Sequence, residues 1–242
     1  MHQLWVSLSV TPLLWLVVTL GAYLIGVALR RAAGDTPLVN PVLVAIALVG
    51  GLLLVTGTPY ATYFSGAKFI HFLLGPATVA LAIPLADNIH HVRRSLVEMG
   101  AALLVGCLVS MLSGIGFVLL LGGPAQVALS MAPKAVTTPI AMAVASEIGG
   151  LPALTAVLAI LGGIIAAVLG ESLLRATGVR DWRAHGLAAG LAGSGIAAAQ
   201  VAGRDPLAAA FSALGIGLNG LLTALAAPAA VALLHRLHWL GM

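Results

Sequence analysis

Charge is what this chain has least of. Lys, Arg, Asp and Glu make up 7% of its 242 residues, where a soluble domain carries roughly a quarter, so a water-facing surface cannot be assembled from it. The few charges are also clustered. Uncharged runs extend between Met1 and Arg30, Asp35 and Lys68, Glu98 and Lys134, Glu147 and Glu171, and Asp205 and Arg236, and each is long enough for the about 20 apolar residues that a helix needs to cross a bilayer. Polarity does not alternate within the runs, which argues against membrane strands and leaves helices as the spanning element.

Cysteine is nearly absent as well. Cys107 is the single one, so no internal disulfide can form, and its place in an apolar run reads as a small core residue. No His, Cys and carboxylate set has metal-ligand spacing. Phosphate loops, dinucleotide fingerprints and His-Glu-x-x-His are missing too, so neither metal nor cofactor is expected. His71, His90, His91, His185, His235 and His238 fall at span ends, where a wet imidazole is ordinary. The net charge of +4 could suggest nucleic acid, but the arginines sit in short loops between spans, where they encode orientation instead; no nucleic acid partner is expected.

What is present is apolar: 61% of the residues are hydrophobic and the mean hydropathy is +1.12. The reading is a single all-α polytopic membrane domain, with the lipid bilayer as its solvent. Spans are expected at Leu4 to Leu29, Val42 to Val55, Phe69 to Ala86, Leu96 to Leu121, Ala153 to Gly170, Ala184 to Ala202 and Leu207 to Leu234. The first has no basic residue ahead of it and no small-x-small cleavage site, so it is expected to stay as an anchor over residues 1–39. Residues 126–147 are different. Pro133 and Pro139 each remove a backbone donor and clash with the preceding turn, so this segment is expected to be broken or re-entrant. Treating it as non-crossing puts Arg30, Arg31, Arg93, Arg94, Arg175, Arg180, Arg183 and Arg236 on one side, with only Lys68 and Arg204 opposite, and the positive-inside rule then predicts seven crossings, N-terminus outside and C-terminus inside.

With that topology, Asn40 to Leu121 and Leu151 to Leu234 each begin with an Xaa-Pro and hold three spans, so residues 40–121 and 126–234 become inverted-topology repeats, the second carrying the broken segment 126–147. Such repeats belong to secondary transporters, whose sites lie near the midplane at interrupted helices. Lys134 stands out, because a lone ammonium at mid-bilayer costs about 2.5 to 3.5 kcal/mol on insertion scales. With the hydroxyls of Thr137 and Thr138 and the start of the following half-helix it would make a carboxylate-sized anion site; the alternative is that it pairs with Glu147 or reaches an interface. Pro76 and Pro84 suggest a second break, with Thr78 beside it. Ser194 and Gln200, the polar residues of a small-residue stretch, either line a site or join helices, and Asn219 similarly needs a partner in an apolar span; Thr78, Ser194, Gln200 and Asn219 are expected to shape the rest of the substrate site. A serine protease is disfavoured: Ser194 has His185 only nine residues earlier on the same span, which is no convincing base. The chain is not expected to be an enzyme, and no catalytic residue is assigned.

The run Ala132-Pro-Lys-Ala-Val-Thr-Thr-Pro-Ile-Ala-Met142, followed by Ile148-Gly-Gly-Leu-Pro-Ala-Leu-Thr155, resembles the signature of the LrgB/CidB proteins. Leu74-Gly-Pro-Ala-Thr-Val-Ala-Leu-Ala-Ile-Pro-Leu85, Asn40-Pro41 and Ala210-Phe-Ser-Ala-Leu-Gly-Ile-Gly-Leu-Asn-Gly220 are similar as well. The resemblance implies a bacterial inner-membrane protein related to the plastid glycolate/glycerate translocator. Its implied partners are a smaller LrgA/CidA-type membrane protein, a second copy of itself, or both. Two functions come with it: carriage of a short monocarboxylate such as pyruvate, lactate, glycolate or glycerate, with a proton or cation as coupling ion, or antiholin-like regulation of murein hydrolase activity. An elevator-like carrier follows by analogy alone. Where the family has a His and an Arg, this chain has Ser194 and Gln200, with Ala197 and Ala198 for a Gly-Thr pair, so the substrate or coupling ion is expected to differ.

Overall fold

The computed structural model of the chain describes residues 12–34, 36, 39–80, 82–87 and 89–236. Among these residues the fold is helical, without strands, and the chain forms two compact units, Met1–Ala80 and Leu81–Met242. The boundary falls inside the first expected repeat.

The first unit holds α1 (Pro12–Ala32), α2 (Pro41–Thr56) and α3 (Tyr60–Ala80). Asn40 starts α2: its Oδ1 accepts from the N–H groups of Val42 and Leu43 at 2.8 and 3.3 Å, and Pro41 at the first turn has no N–H to satisfy. Trp15 of α1 is fully buried and meets Tyr63 of α3 edge-to-face at 5.9 Å. The third span, expected from Phe69, begins at Tyr60 instead. Pro59 accepts the first two turn bonds, and Tyr60 stacks on Phe64, so the helix is set before the apolar run begins and carries Lys68 on its exposed side. Pro76 lies inside α3.

The second unit contains α4 (Ala82–Asp87), α5 (Ile89–Arg94), α6 (Leu96–Leu120), α7 (Ala125–Met131), α8 (Thr138–Glu147), α9 (Pro152–Ala176), α10 (Trp182–Ala202) and α11 (Pro206–Arg236). Among the described residues, four helices are long and apolar enough to cross a membrane: α1, α6, α9 and α11 over Pro206–Leu234. This is a multi-pass membrane protein. Helices α6 and α9 each have 25 residues, about 37 Å at 1.5 Å per residue.

Between them the chain makes a hairpin. Gly123 lies against Val118, Met131 against Gly114, and Lys134 reaches Ser110, so α7 and the stretch after it run back along α6. Pro133 and Pro139 bracket an interruption at 132–137, and α8 then returns antiparallel to α9, with Val136 and Ala141 packed on Ala159. By residue 151 the chain is again beside the end of α7: the Leu151 N–H donates to Ser130 Oγ at 2.7 Å and the Thr155 hydroxyl to Ser130 O at 3.0 Å. The tip of this first hairpin lies opposite Gly162, near the middle of α9.

A second hairpin occupies the stretch expected to be the sixth crossing. Ser194, inside α10, has φ 48° and ψ −140°, and the chain reverses there. A Cβ built on Gly193 would lie 2.3 Å from the Ala197 Cβ, whereas residues four apart in a continuous helix keep these atoms about 5–6 Å apart. Helix α11 confirms the reversal. It runs parallel to 182–193, with Gly186 against Ala208 and Gly190 against Ser212, and a three-residue link cannot join parallel neighbours unless 195–202 has come back. Arg204 and Arg175 consequently share the carboxylate of Glu171. The expectation that α10 crosses and leaves Arg204 on the opposite side is thus corrected. Apolar length alone cannot tell a crossing from a hairpin; the backbone at Ser194 decides it. A serine with that φ is strained by about 1–3 kcal/mol, so Ser194→Gly is expected to raise the melting temperature and Ser194→Val to lower it.

Candidate functional site

The two hairpins approach from opposite ends of α9, and their tips meet near its middle. Lys134 sits on the first tip. Its Nζ donates to Ser110 O at 2.5 Å and Ser110 Oγ at 3.2 Å on α6, which is possible because Gly114, one turn on, presents no side chain: a Cβ there would lie 2.9 Å from Nζ. Among the described residues Lys134 has no carboxylate partner, so it is not paired with Glu147. An ammonium has three donors, and two are spent on Ser110, which leaves one and a net positive charge.

Asn219 of α11 is 1% exposed. Its amide donates to Ala135 O at 2.9 Å and to Leu191 O at 3.0 Å, one carbonyl from each tip. Leu191 O is available because the reversal at Ser194 interrupts the helical ladder. Two buried oxygens here have no partner, Asn219 Oδ1 and Ser194 Oγ.

A cavity of about 530 Å³ runs from this junction along α9 and α10. Lys134, Ser110 and Ala135 line one end, and Glu171, His185 and Gln200 the other, with alanine, glycine and leucine between. The far end is tied down. Glu171 Oε1 takes Arg175 at 2.8 Å and Arg204 at 2.9 Å, which holds the exit of the second hairpin to α9. His185 is buried, with Nε2 2.9 Å from Val179 O. At the start of α10, Asp181 accepts from the Arg183 N–H and is gripped by its guanidinium. Those bonds, above all the side-chain one, hold the Asp181 carboxyl below the usual carboxylate range. Its modest contribution is therefore complete at neutral pH and fades as pH falls through that lowered value. Glu171→Gln is expected to loosen the second hairpin at its outer end, raising amide exchange across 195–205 by about fivefold, since ion pairs with exposed arginines contribute about 1 kcal/mol or less.

Of the residues expected at the site, Lys134, Ser194 and Asn219 come together at the tips, and Gln200 lines the far part of the cavity. Thr137 and Thr138 begin α8, make no side-chain cap bond and do not line the cavity, so the structure does not join them to Lys134. Pro133 is buried in the interruption and Pro139 is exposed at the second position of α8. Thr78 belongs to the other unit, Pro84 lies in α4, and both side chains are outside the described residues. Ser110, Glu171 and His185 were not expected. The only sequence signal for Ser110 is Gly114 four residues later, which makes a notch on α6.

A family model described as the LrgB-like family matches residues 19–233. The uncharacterized protein YxaC of Bacillus subtilis (strain 168) is 32% identical over 220 residues, covering 91% of this chain and 95% of that one. An antiholin-like protein LrgB of Bacillus cereus (strain B4264) is also 32% identical over 220 residues, covering 91% and 96%. An uncharacterized protein of Haemophilus influenzae is 30% identical over 189 residues, covering 78% and 82%. No solved structure matches.

Proposed function

The chain belongs to the LrgB-like family, and from that premise we propose that it is a secondary carrier of a small organic anion, a short monocarboxylate the size of pyruvate, lactate, glycolate or glycerate, working by alternating access. One observation carries this reading: an ammonium without a carboxylate partner, at the meeting point of opposed hairpin tips and on the wall of a cavity of about 530 Å³. The free donor of Lys134 would take the carboxylate, which would neutralise a charge that the interior otherwise holds at a cost. Ser194 and Gln200 would shape the rest of the path. Thr137 and Thr138 would contribute in another state of the carrier, and Thr78 would offer a further hydroxyl.

The proposed membrane arrangement has six crossings, α1, α2, α3, α6, α9 and α11, with the two hairpins re-entering from opposite faces. Helix α6 with the first hairpin and helix α9 with the second form an inverted pair, each a 25-residue helix followed by a hairpin. That is the kind of internal symmetry on which alternating access is built; elevator-like motion remains an analogy. Arg30, Arg31, Arg93, Arg94, Arg175, Arg180, Arg183 and Arg204 would then share the inner side of the bacterial cytoplasmic membrane with the N-terminus outside, and, with one crossing fewer than the seven expected, Arg236 and the C-terminus would be outside instead of inside. A proton or cation would drive the cycle, and the chain would work as a homodimer or with an LrgA/CidA-type partner. No enzymatic step is proposed.

The names of the Bacillus cereus relatives support a second reading better than any particular substrate: an antiholin-like membrane regulator of murein hydrolase activity acting through such a partner. Proteoliposomes separate the two. Uptake of labelled pyruvate, lactate and glycolate by the purified chain alone would support the carrier. Uptake only after Ser194→His with Gln200→Arg would mean that the site has diverged from the family pattern. No uptake by either reconstituted protein would leave the regulator.

A further inference from the structure

We infer that Asn219 is a positioning residue through which the two hairpin tips move as one body. The inference holds under either reading above. Its amide is the one described side chain that bonds both tips, and it spends both N–H donors on main-chain carbonyls, Ala135 O at 2.9 Å and Leu191 O at 3.0 Å. The orientation follows from the chemistry: turning the amide over would set Oδ1 against two carbonyl oxygens. The remaining Oδ1 is buried without a partner, so the arrangement satisfies the tips and leaves Asn219 itself unsatisfied.

The base of this clamp is rigid. Gly190 and Gly215 let α11 lie directly on the backbone of the second hairpin, with a Cβ at Gly190 only 2.3 Å from Ser212 O. Ile140 of α8 comes to Gly220, the residue after Asn219. Helix α11 is thus packed on one hairpin and bonded across to the other. Parting the tips would expose two carbonyls with no helical donor to replace Asn219, in an interior where an unmet backbone acceptor is costly. Independent opening of a single tip is therefore disfavoured, and a disturbance at Lys134, the neighbour of Ala135, is transmitted to Ser194.

Amide hydrogen exchange on the full-length protein in lipid nanodiscs tests this. Asn219→Leu removes both donors; Asn219→Asp, protonated in that interior, keeps one at most. The expected result is exchange raised about tenfold or more at both 134–137 and 192–196 in the leucine variant, a smaller rise in the aspartate variant, and none in α6. A second comparison excludes a merely local effect. Lys134→Met should alter exchange at 192–196 when Asn219 is present and leave it unaltered in the Asn219→Leu background, because a real coupling vanishes from the double-mutant cycle. If the leucine variant does not fold, the aspartate variant carries both comparisons. A rise confined to one tip, no rise at either, or a Lys134→Met effect that persists without Asn219 overturns the inference.

Discussion

Lys134→Met is expected to abolish anion uptake while raising thermal stability. The two effects share one cause. Among the described residues the ammonium reaches only Ser110, so its dehydration is offset there by two hydrogen bonds and by no opposite charge. Methionine has nearly the same unbranched shape and no charge to bury. Of the about 2.5 to 3.5 kcal/mol assigned to a lysine at the bilayer centre, the bonds to Ser110 return a part, and a net gain of about 1 kcal/mol is expected. Removing the charge from a bound carboxylate costs about 2–5 kcal/mol of affinity, or roughly thirtyfold to several thousandfold. Lys134→Arg should fare almost as badly in uptake, since the Nζ is already close against Gly114 and a planar guanidinium is broader. Melting curves and uptake on the same preparations check both. A stable, fully active methionine variant would remove Lys134 from the site and with it the main argument for a carrier.

The second large effect is structural. Gly190→Val is expected to prevent the second hairpin from seating on α11. Its new Cβ would lie 2.3 Å from Ser212 O and 3.0 Å from Ile216 N, both backbone atoms that can yield only if the helices separate. Within a bilayer no hydrophobic force restores the pair, because lipid is as apolar as the side chains, and helices associate through close packing of small residues. A loss of about 3 kcal/mol or more is expected, seen as disappearance of the monodisperse peak in size-exclusion chromatography. Gly195→Ala is the control: nothing lies within 4 Å of its Cβ, so it should behave as wild type. Equal behaviour of the two variants would mean that α11 and the second hairpin do not pack this closely in the membrane.

The membrane class and all-helical content were legible from sequence because they follow from sums: too little charge to face water, and apolar runs long enough to span. The interruption at 132–137 was legible because proline acts through its own missing N–H. The reversal at Ser194 was not. Its stretch, Ala184 to Ala202, is as long as a crossing helix, and serine announces no φ of 48°. Thr137 and Thr138 are a different case: three and four residues after Lys134 in sequence, they point to a shared site, and in this structure the turn into α8 sets them off the cavity wall.

By itself, the sequence determined that this chain lives in a membrane as helices, that one segment must break, and that Lys134 would be costly wherever it lay. Only the tertiary structure decided that a second segment folds back, that Ser110 receives the ammonium, and that Asn219 holds both tips. The physical reason is the kind of atom involved. Solvation and proline geometry belong to residue types and can be read in order, whereas the partners here are backbone carbonyls of Ser110, Ala135 and Leu191. Every residue has such a carbonyl, and only the fold determines which ones are left free and where they point.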